Sequence, residues 1–197
     1  MIRFADRKDA GNKLSRALKK YAGERTIIYA LPRGGVVVGF VVAQALKAPL
    51  DLVITRKIGH PQNPEYAVCA ITEAGELFCN EAEKAALDPI WLARQAEQEK
   101  QEARRRRKVY LGNTQPLSAT DKIAIVVDDG IATGLTMRAA LRSLRRERPK
   151  KLIAAIPVAP AETARALRRD ADEVIVLQED ENYLGAVGAY YDDFSQT

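Results

Sequence analysis

The chain is poor in the residues from which metal and redox centres are usually built. It has two cysteines and one histidine in 197 residues. Cys69 and Cys79 have no CxxC spacing and no histidine cluster nearby, so the pattern predicts neither a metal site nor a redox motif and reads both thiols as reduced core residues. Long hydrophobic runs are also missing. The most apolar segment, Val36 to Leu46, is interrupted by Gly39 and Gln44 and is too short to span a bilayer. No basic N-terminal start leads into an apolar run, so the expectation is a cytoplasmic protein with no membrane partner. GxGxxG and GK[ST] are absent as well, which argues against dinucleotide-binding and P-loop NTPase chemistry. Charge is not one-sided: 31 Lys and Arg are mixed with 26 Asp and Glu, which argues against a generic nucleic-acid coat, and a phosphate-rich small ligand fits the net +5 equally well.

What is present is an alternation of short apolar strands and helices. Leu14, Ala17, Leu18 and Tyr21 recur at helical spacing after potential caps at Asp6 or Asp9, and Thr26 to Leu31 is a β-branched run ending at Pro32. Pro32-Arg33-Gly34-Gly35 makes a turn, Val36 to Leu46 a helix, and Leu50 to Thr55 a buried strand. Tyr66 to Ile71 and Glu76 to Cys79 flank Thr72-Glu73-Ala74-Gly75 as a hairpin. Asn80 with Glu83, then Asp88-Pro89, are successive helix starts, predicting a helical insertion at about 80–112 whose second half is almost wholly polar. From Ile123 the alternation resumes: strand Ile123 to Val127, helix Gly134 to Arg146, strand Lys151 to Val158, helix Ala161 to Arg169, strand Glu173 to Leu177. The predicted class is α/β, one domain with a central, mainly parallel sheet covered by helices on both faces.

The segment Ile125 to Thr136 carries the chemistry. It is an apolar strand, two carboxylates (Asp128, Asp129), a small-residue loop and a helix start. Such a loop turns several backbone amides into one concavity with the helix dipole behind them, which suits a phosphate dianion. Thr133 and Thr136 add hydroxyl donors, and carboxylates at a strand's end accept from vicinal ribose hydroxyls. A strand-to-helix turn with ordinary capping residues would account for Thr133 or Gly134 singly, but not for the paired acids.

On these residues the sequence resembles the type I phosphoribosyltransferase family, whose signature ends Ala/Asp-Thr-Gly-x-Thr. That resemblance implies a sheet with a hairpin or flexible loop and a small hood, and transfer of the 5-phosphoribosyl group from phosphoribosyl pyrophosphate (PRPP) to a nitrogenous base. It assigns Asp128 and Asp129 to the ribose hydroxyls, directly or indirectly also to Mg²⁺, and Ala132, Thr133, Gly134, Leu135 and Thr136 to the 5-phosphate. Arg33, Gly34 and Gly35 resemble the family's pyrophosphate loop, and Arg56-Lys57 the strand-end cations that precede a mobile catalytic loop. His60, in that loop, is either catalytic or simply solvated, and Glu65 is a candidate to handle the base proton.

Residues 182–194 resemble the base-binding end of 6-oxopurine enzymes, with Tyr183 and Val187 as candidates for the base; the alternative is a C-terminal strand whose tyrosines pack on the core. Ala132 stands where those enzymes usually carry an Asp, and Leu135 where they often carry Lys, which leaves the base open. As a whole, the chain resembles an uncharacterised bacterial group of predicted phosphoribosyltransferases, with matching stretches from Phe4-Ala5-Asp6-Arg7 to Asp193-Phe194. Arg104 to Lys108 reads either as a solvated helix face or, in a rival regulatory protein, as a nucleic-acid contact. The sequence leaves a homo-oligomer open.

Overall fold

The computed structural model describes residues 3–197. In chain order the elements are α1 (Arg7–Ala17), β1 (Thr26–Ala30), α2 (Gly34–Leu46), β2 (Leu50–Leu52), β3 (Thr55–His60), β4 (Asn63–Thr72) and β5 (Leu77–Cys79). They continue with α3 (Glu81–Ala85), α4 (Pro89–Leu111), β6 (Ile123–Val127), α5 (Leu135–Arg145), β7 (Lys151–Pro160), α6 (Ala161–Leu167) and β8 (Glu173–Asp180). Five strands form a parallel sheet in the order β2-β1-β6-β7-β8. The fold is α/β, with helices on both faces of that sheet.

Strands β1 and β6 are buried along their whole length, because successive side chains enter different cores. Ile27, Tyr29 and Val126 join Leu141, Leu144 and Leu167 of the helices on one face. Ile28 and Ile125 meet Leu14, Val38 and Val42 on the other. Asp6, not Asp9, caps α1, accepting a bond from the Asp9 amide at 2.7 Å. Among the described residues no helix is long and apolar enough to cross a membrane.

One expected strand and one expected loop are redrawn. The run Leu50 to Thr55 is not one strand: after Leu52 the chain leaves the main sheet, and from Thr55 it enters a three-stranded antiparallel sheet ordered β3-β4-β5. Thr55 to His60, expected as a strand end with Arg56-Lys57 running into a mobile loop, is strand β3, paired with β4 and bulged around Ile58 and Gly59. Gly59 permits this pairing, since a Cβ there would lie 2.1 Å from the Pro64 carbonyl oxygen.

The cysteines are also corrected. The hairpin register sets Cys69 directly opposite Cys79, with Cα atoms 4.0 Å apart, and the two form a disulfide. Neither is a free core thiol. The C-terminal segment, one reading of which was a strand, is a short 3₁₀ turn, Val187–Tyr190, followed by a bridge between Phe4 and Tyr191.

Helix α4 begins at the predicted Asp88-Pro89 cap and buries only Leu92 and Ala103. Its basic run is not a uniformly solvated face. Arg105 and Arg106 pair with Glu102 on the same helix, whereas Arg107 is only 12% exposed and turns inward. Arg107 donates to Asp51 at 2.8 Å, to Glu73 at 3.1 Å and to the Leu52 carbonyl at 2.8 Å. Asp51, itself buried, also accepts from the amides of Leu52 and Leu117. One guanidinium therefore joins α4, the edge of the main sheet and the β4–β5 turn.

Glu73 in that network carries a pH signature. Its second carboxylate oxygen is buried without a partner among the described residues, and burial pushes its pKa up to about 7 against the pull of Arg107. A raised carboxyl pKa means that the neutral form favours the fold: this contribution is complete at pH 4.5 and below and is lost as pH rises through about 7. Glu73→Gln is expected to flatten the stability profile between those values and to add roughly 1–3 kcal/mol at pH 8. Urea midpoints measured across that range check it; parallel curves for the two proteins would refute it.

Candidate active site

The carboxyl ends of the neighbouring parallel strands β1 and β6 open at one edge of the sheet, where α/β folds bind ligands. After β1 comes Leu31 to Gly35, whose Pro32–Arg33 peptide is cis; after β6 comes Asp128 to Thr136. The second loop ends at Gly134, whose φ of 72° lies in the left-handed region, and α5 starts immediately after it. The amides of that first turn have no intrahelical partner and form a ready anion cradle. Thr163 holds the loop from behind, donating its hydroxyl to the Ala132 carbonyl at 2.7 Å.

A cavity of about 550 Å³ lies above these loops. Four cations line it from three directions: Arg33 from the first loop, Arg56 and Lys57 from β3, and Arg106 from α4. Asp128, Asp129 and Glu65 are its acids, and Ala132, Thr133, Gly134 and Thr136 its cradle. Gly34 packs tightly against the acids: a Cβ there would fall 1.8 Å from the Asp129 carboxylate. The two loops thus meet at Asp129, and the carboxylates share the cavity with the cations and the amide-rich turn. Burial, and then the adjacent Asp129 charge, push Asp128 well above the usual carboxylate range, while Lys57 pulls it back.

Of the residues singled out from sequence, the structure brings Arg33, Gly34, Arg56, Lys57, Glu65, Asp128, Asp129, Ala132, Thr133, Gly134, Thr136 and Val187 to this one cavity. Four do not line it. Gly35 lies beneath, against the backbone of Asp128. Leu135 turns its side chain into a core with Ala70 and Phe78. His60 sits at the β3–β4 turn, accepting from the Gln62 amide at 3.2 Å. Tyr183 stacks on Tyr190 at 5.5 Å and lines a separate cavity beside Asp180 and Arg165.

The sequence reading missed Tyr66, Thr55 and Arg106 in the lining. Only Arg106 had a signal, its place in the basic run. Arg56 is not a free cation either, since its Nε donates to Glu99 of α4 at 2.7 Å.

Comparisons to known proteins identify the family. A family model described as phosphoribosyl transferase domain matches residues 5–193. Two curated proteins from strains of Mycobacterium tuberculosis, named provisionally as phosphoribosyl transferases, are 38% identical over 196 residues. The alignment covers 98% of this chain but 44% of theirs, so the chain spans less than half the length of those relatives. The crystal structure of TT1426 from Thermus thermophilus superposes with a TM-score of 0.83 at 38% identity, covering 99% of this chain and 93% of that one. A purine phosphoribosyltransferase from Pyrococcus horikoshii shares the fold at a TM-score of 0.51 and 16% identity, over 88% of this chain and 84% of its own. On the span of the family match and the coverage of the 38%-identical structure, this chain belongs to the phosphoribosyl transferase domain family.

Proposed function

We propose that the chain transfers the 5-phosphoribosyl group of PRPP to a nitrogenous base and releases pyrophosphate. The observation that carries this reading is the gathering of two adjacent carboxylates, an amide-rich helix start and four cations around one cavity. The molecule that matches has a phosphate at one end, vicinal hydroxyls in the middle and a pyrophosphate at the other.

In this reading the turn Ala132 to Thr136 holds the 5-phosphate through its amides and the Thr133 and Thr136 hydroxyls. Asp128 and Asp129 accept from the ribose hydroxyls. Arg33 and Lys57, both exposed on the cavity, face the pyrophosphate, and Arg106 adds charge from α4. As the bond from C1 to the pyrophosphate oxygen breaks, positive charge grows on the sugar and negative charge on the leaving group, and the cations stabilise the latter. A ring nitrogen of the base then bonds to C1, and its proton passes to Glu65 or solvent.

Asp128 and Asp129 are hard oxygen donors with no third acid clustered beside them among the described residues. That set fits Mg²⁺, which takes one or two carboxylates and completes its shell with phosphate oxygens and water. Bound there, the ion would neutralise charge on the departing pyrophosphate.

No observation favours the rival reading of a regulator that binds nucleic acid through α4. The arginines it would use are engaged within the chain: Arg104 with the Glu73 carbonyl, Arg105 and Arg106 with Glu102, and Arg107 with Asp51.

Incubating the protein with PRPP, Mg²⁺ and a panel of purine and pyrimidine bases, with pyrophosphate as the readout, tests the proposal. At least one base is expected to give release above the base-free rate; none doing so would sink it. Ala132→Asp is expected to reorder the base ranking by roughly tenfold, about 1.4 kcal/mol, while PRPP affinity changes less. Ala132 is exposed on the cavity and outside every core cluster, so the change is expected to be accommodated. An altered PRPP affinity with an identical ranking would count against this use of Ala132.

A further inference from the structure

The stretches Phe4-Ala5-Asp6-Arg7 and Asp193-Phe194 have no part in the reaction described, yet the fold joins them beside it. Three backbone bonds of 2.9 Å clip the two ends together: Phe4 N–H to Tyr190 O, Asp192 N–H to Phe4 O and Asp193 N–H to Ala5 O. From this clip Arg7 reaches across 122 residues of sequence, its Nε donating to Asp129 Oδ2 at 2.7 Å. The two side chains are only 11% and 13% exposed.

Arg7 is itself held. Its Nη1 donates to the Ser195 carbonyl at 2.8 Å, and the guanidinium carbon lies 3.8 Å from the Phe194 ring centroid. On the opposite flank the Tyr191 hydroxyl donates to the Asp129 carbonyl, and Gly34 closes against the carboxylate. Asp129 is thus confined from three sides, with Oδ2 committed to Arg7.

We propose that Arg7 is a positioning residue that fixes the Asp129 carboxylate toward the ribose hydroxyls of PRPP, with Phe194 and the Ser195 carbonyl orienting Arg7 in turn. The proposal rests on the assignment of Asp129 to the ribose. Arg7 does not line the cavity, so it acts through Asp129 rather than on PRPP. A carboxylate free to rotate would have to be ordered on binding, and that ordering is what the pair supplies in advance.

The test compares equilibrium binding of PRPP with that of pyrophosphate, which has no ribose, each without added Mg²⁺ because Asp129 is also a donor candidate for that ion. Arg7→Gln is expected to weaken PRPP roughly tenfold and pyrophosphate less than twofold, with Arg7→Lys recovering part of the loss. In an Asp129→Asn background Arg7→Gln is expected to add less than twofold, because its effect runs through the missing charge. Equal loss of both ligands would make Arg7 a structural tie only and overturn the proposal. Intact PRPP binding in Arg7→Gln with weakened binding in Asp129→Asn would also overturn it, leaving the ribose assignment standing. Unchanged PRPP affinity in Asp129→Asn would remove the ribose assignment itself. Should Arg7→Gln not fold, Phe194→Leu, which keeps the ion pair and removes the ring, is expected to weaken PRPP alone by about threefold. Absence of that selective loss would refute the role.

Discussion

Changing Asp128 and Asp129 together to Asn is expected to lower PRPP affinity by roughly 10²- to 10⁴-fold and to bring pyrophosphate release down to background. Each carboxylate is assigned a charge-assisted bond to a ribose hydroxyl, and two such bonds at about 1.5–3 kcal/mol each give that range. The fold is expected to survive. The amide oxygen introduced by Asp129→Asn remains an acceptor for Arg7, and a neutral group at 128 relieves the burial that disfavours the Asp128 charge. Calorimetric titration with PRPP and a far-UV spectrum separate the two outcomes. A folded double variant with undiminished affinity would show that the acids do not face the ligand.

Arg107→Gln is expected to produce the largest change in stability, a loss of about 3–5 kcal/mol, because it leaves the Asp51 carboxylate buried without its charge partner. That is a large part of the roughly 5–15 kcal/mol that holds a typical domain together. Arg105→Gln, two residues earlier, is expected to leave the urea midpoint almost unmoved, since its pair with Glu102 is exposed. Comparable midpoints for the two variants would show that the Arg107 network carries no special weight. Replacing all four arginines at once would confuse these effects, because a buried tie and three surface contacts share one run of sequence.

Most of the parallel sheet could be read from sequence because its signals are local. Ile123 to Val127 is wholly apolar, and a strand buried on both faces needs nothing else. The candidate loop after β6 was legible for the same reason: acids, small loop and helix start are contiguous from Asp128 to Thr136. What the sequence hid depends on distant pairings. Cys69 and Cys79 were visible as strand residues, but only the hairpin register shows that they face each other. Strand β3 was hidden because it carries the charged pair Arg56-Lys57, and the bulge at Gly59 breaks the alternation that marks a strand. Arg107 and Asp51 lie 56 residues apart, and Arg7 and Asp129 122; helical or strand periodicity says nothing at such separations.

The clip between Phe4 and Tyr191 has a practical consequence for how this domain can be joined to other sequences. Phe4 pairs with Tyr191, whose hydroxyl reaches Asp129, and Thr197 lies in a groove beside Pro32 and Arg33 of the first loop. A polypeptide continuing past Thr197 would emerge next to Arg33, on the side of the cavity assigned above to pyrophosphate, with little spacer needed to reach it. An affinity tag or fused reporter attached there would crowd the site. A linker joining the two ends, with new termini opened at the exposed turn around Gly112, would keep additions at a distance from the reacting groups.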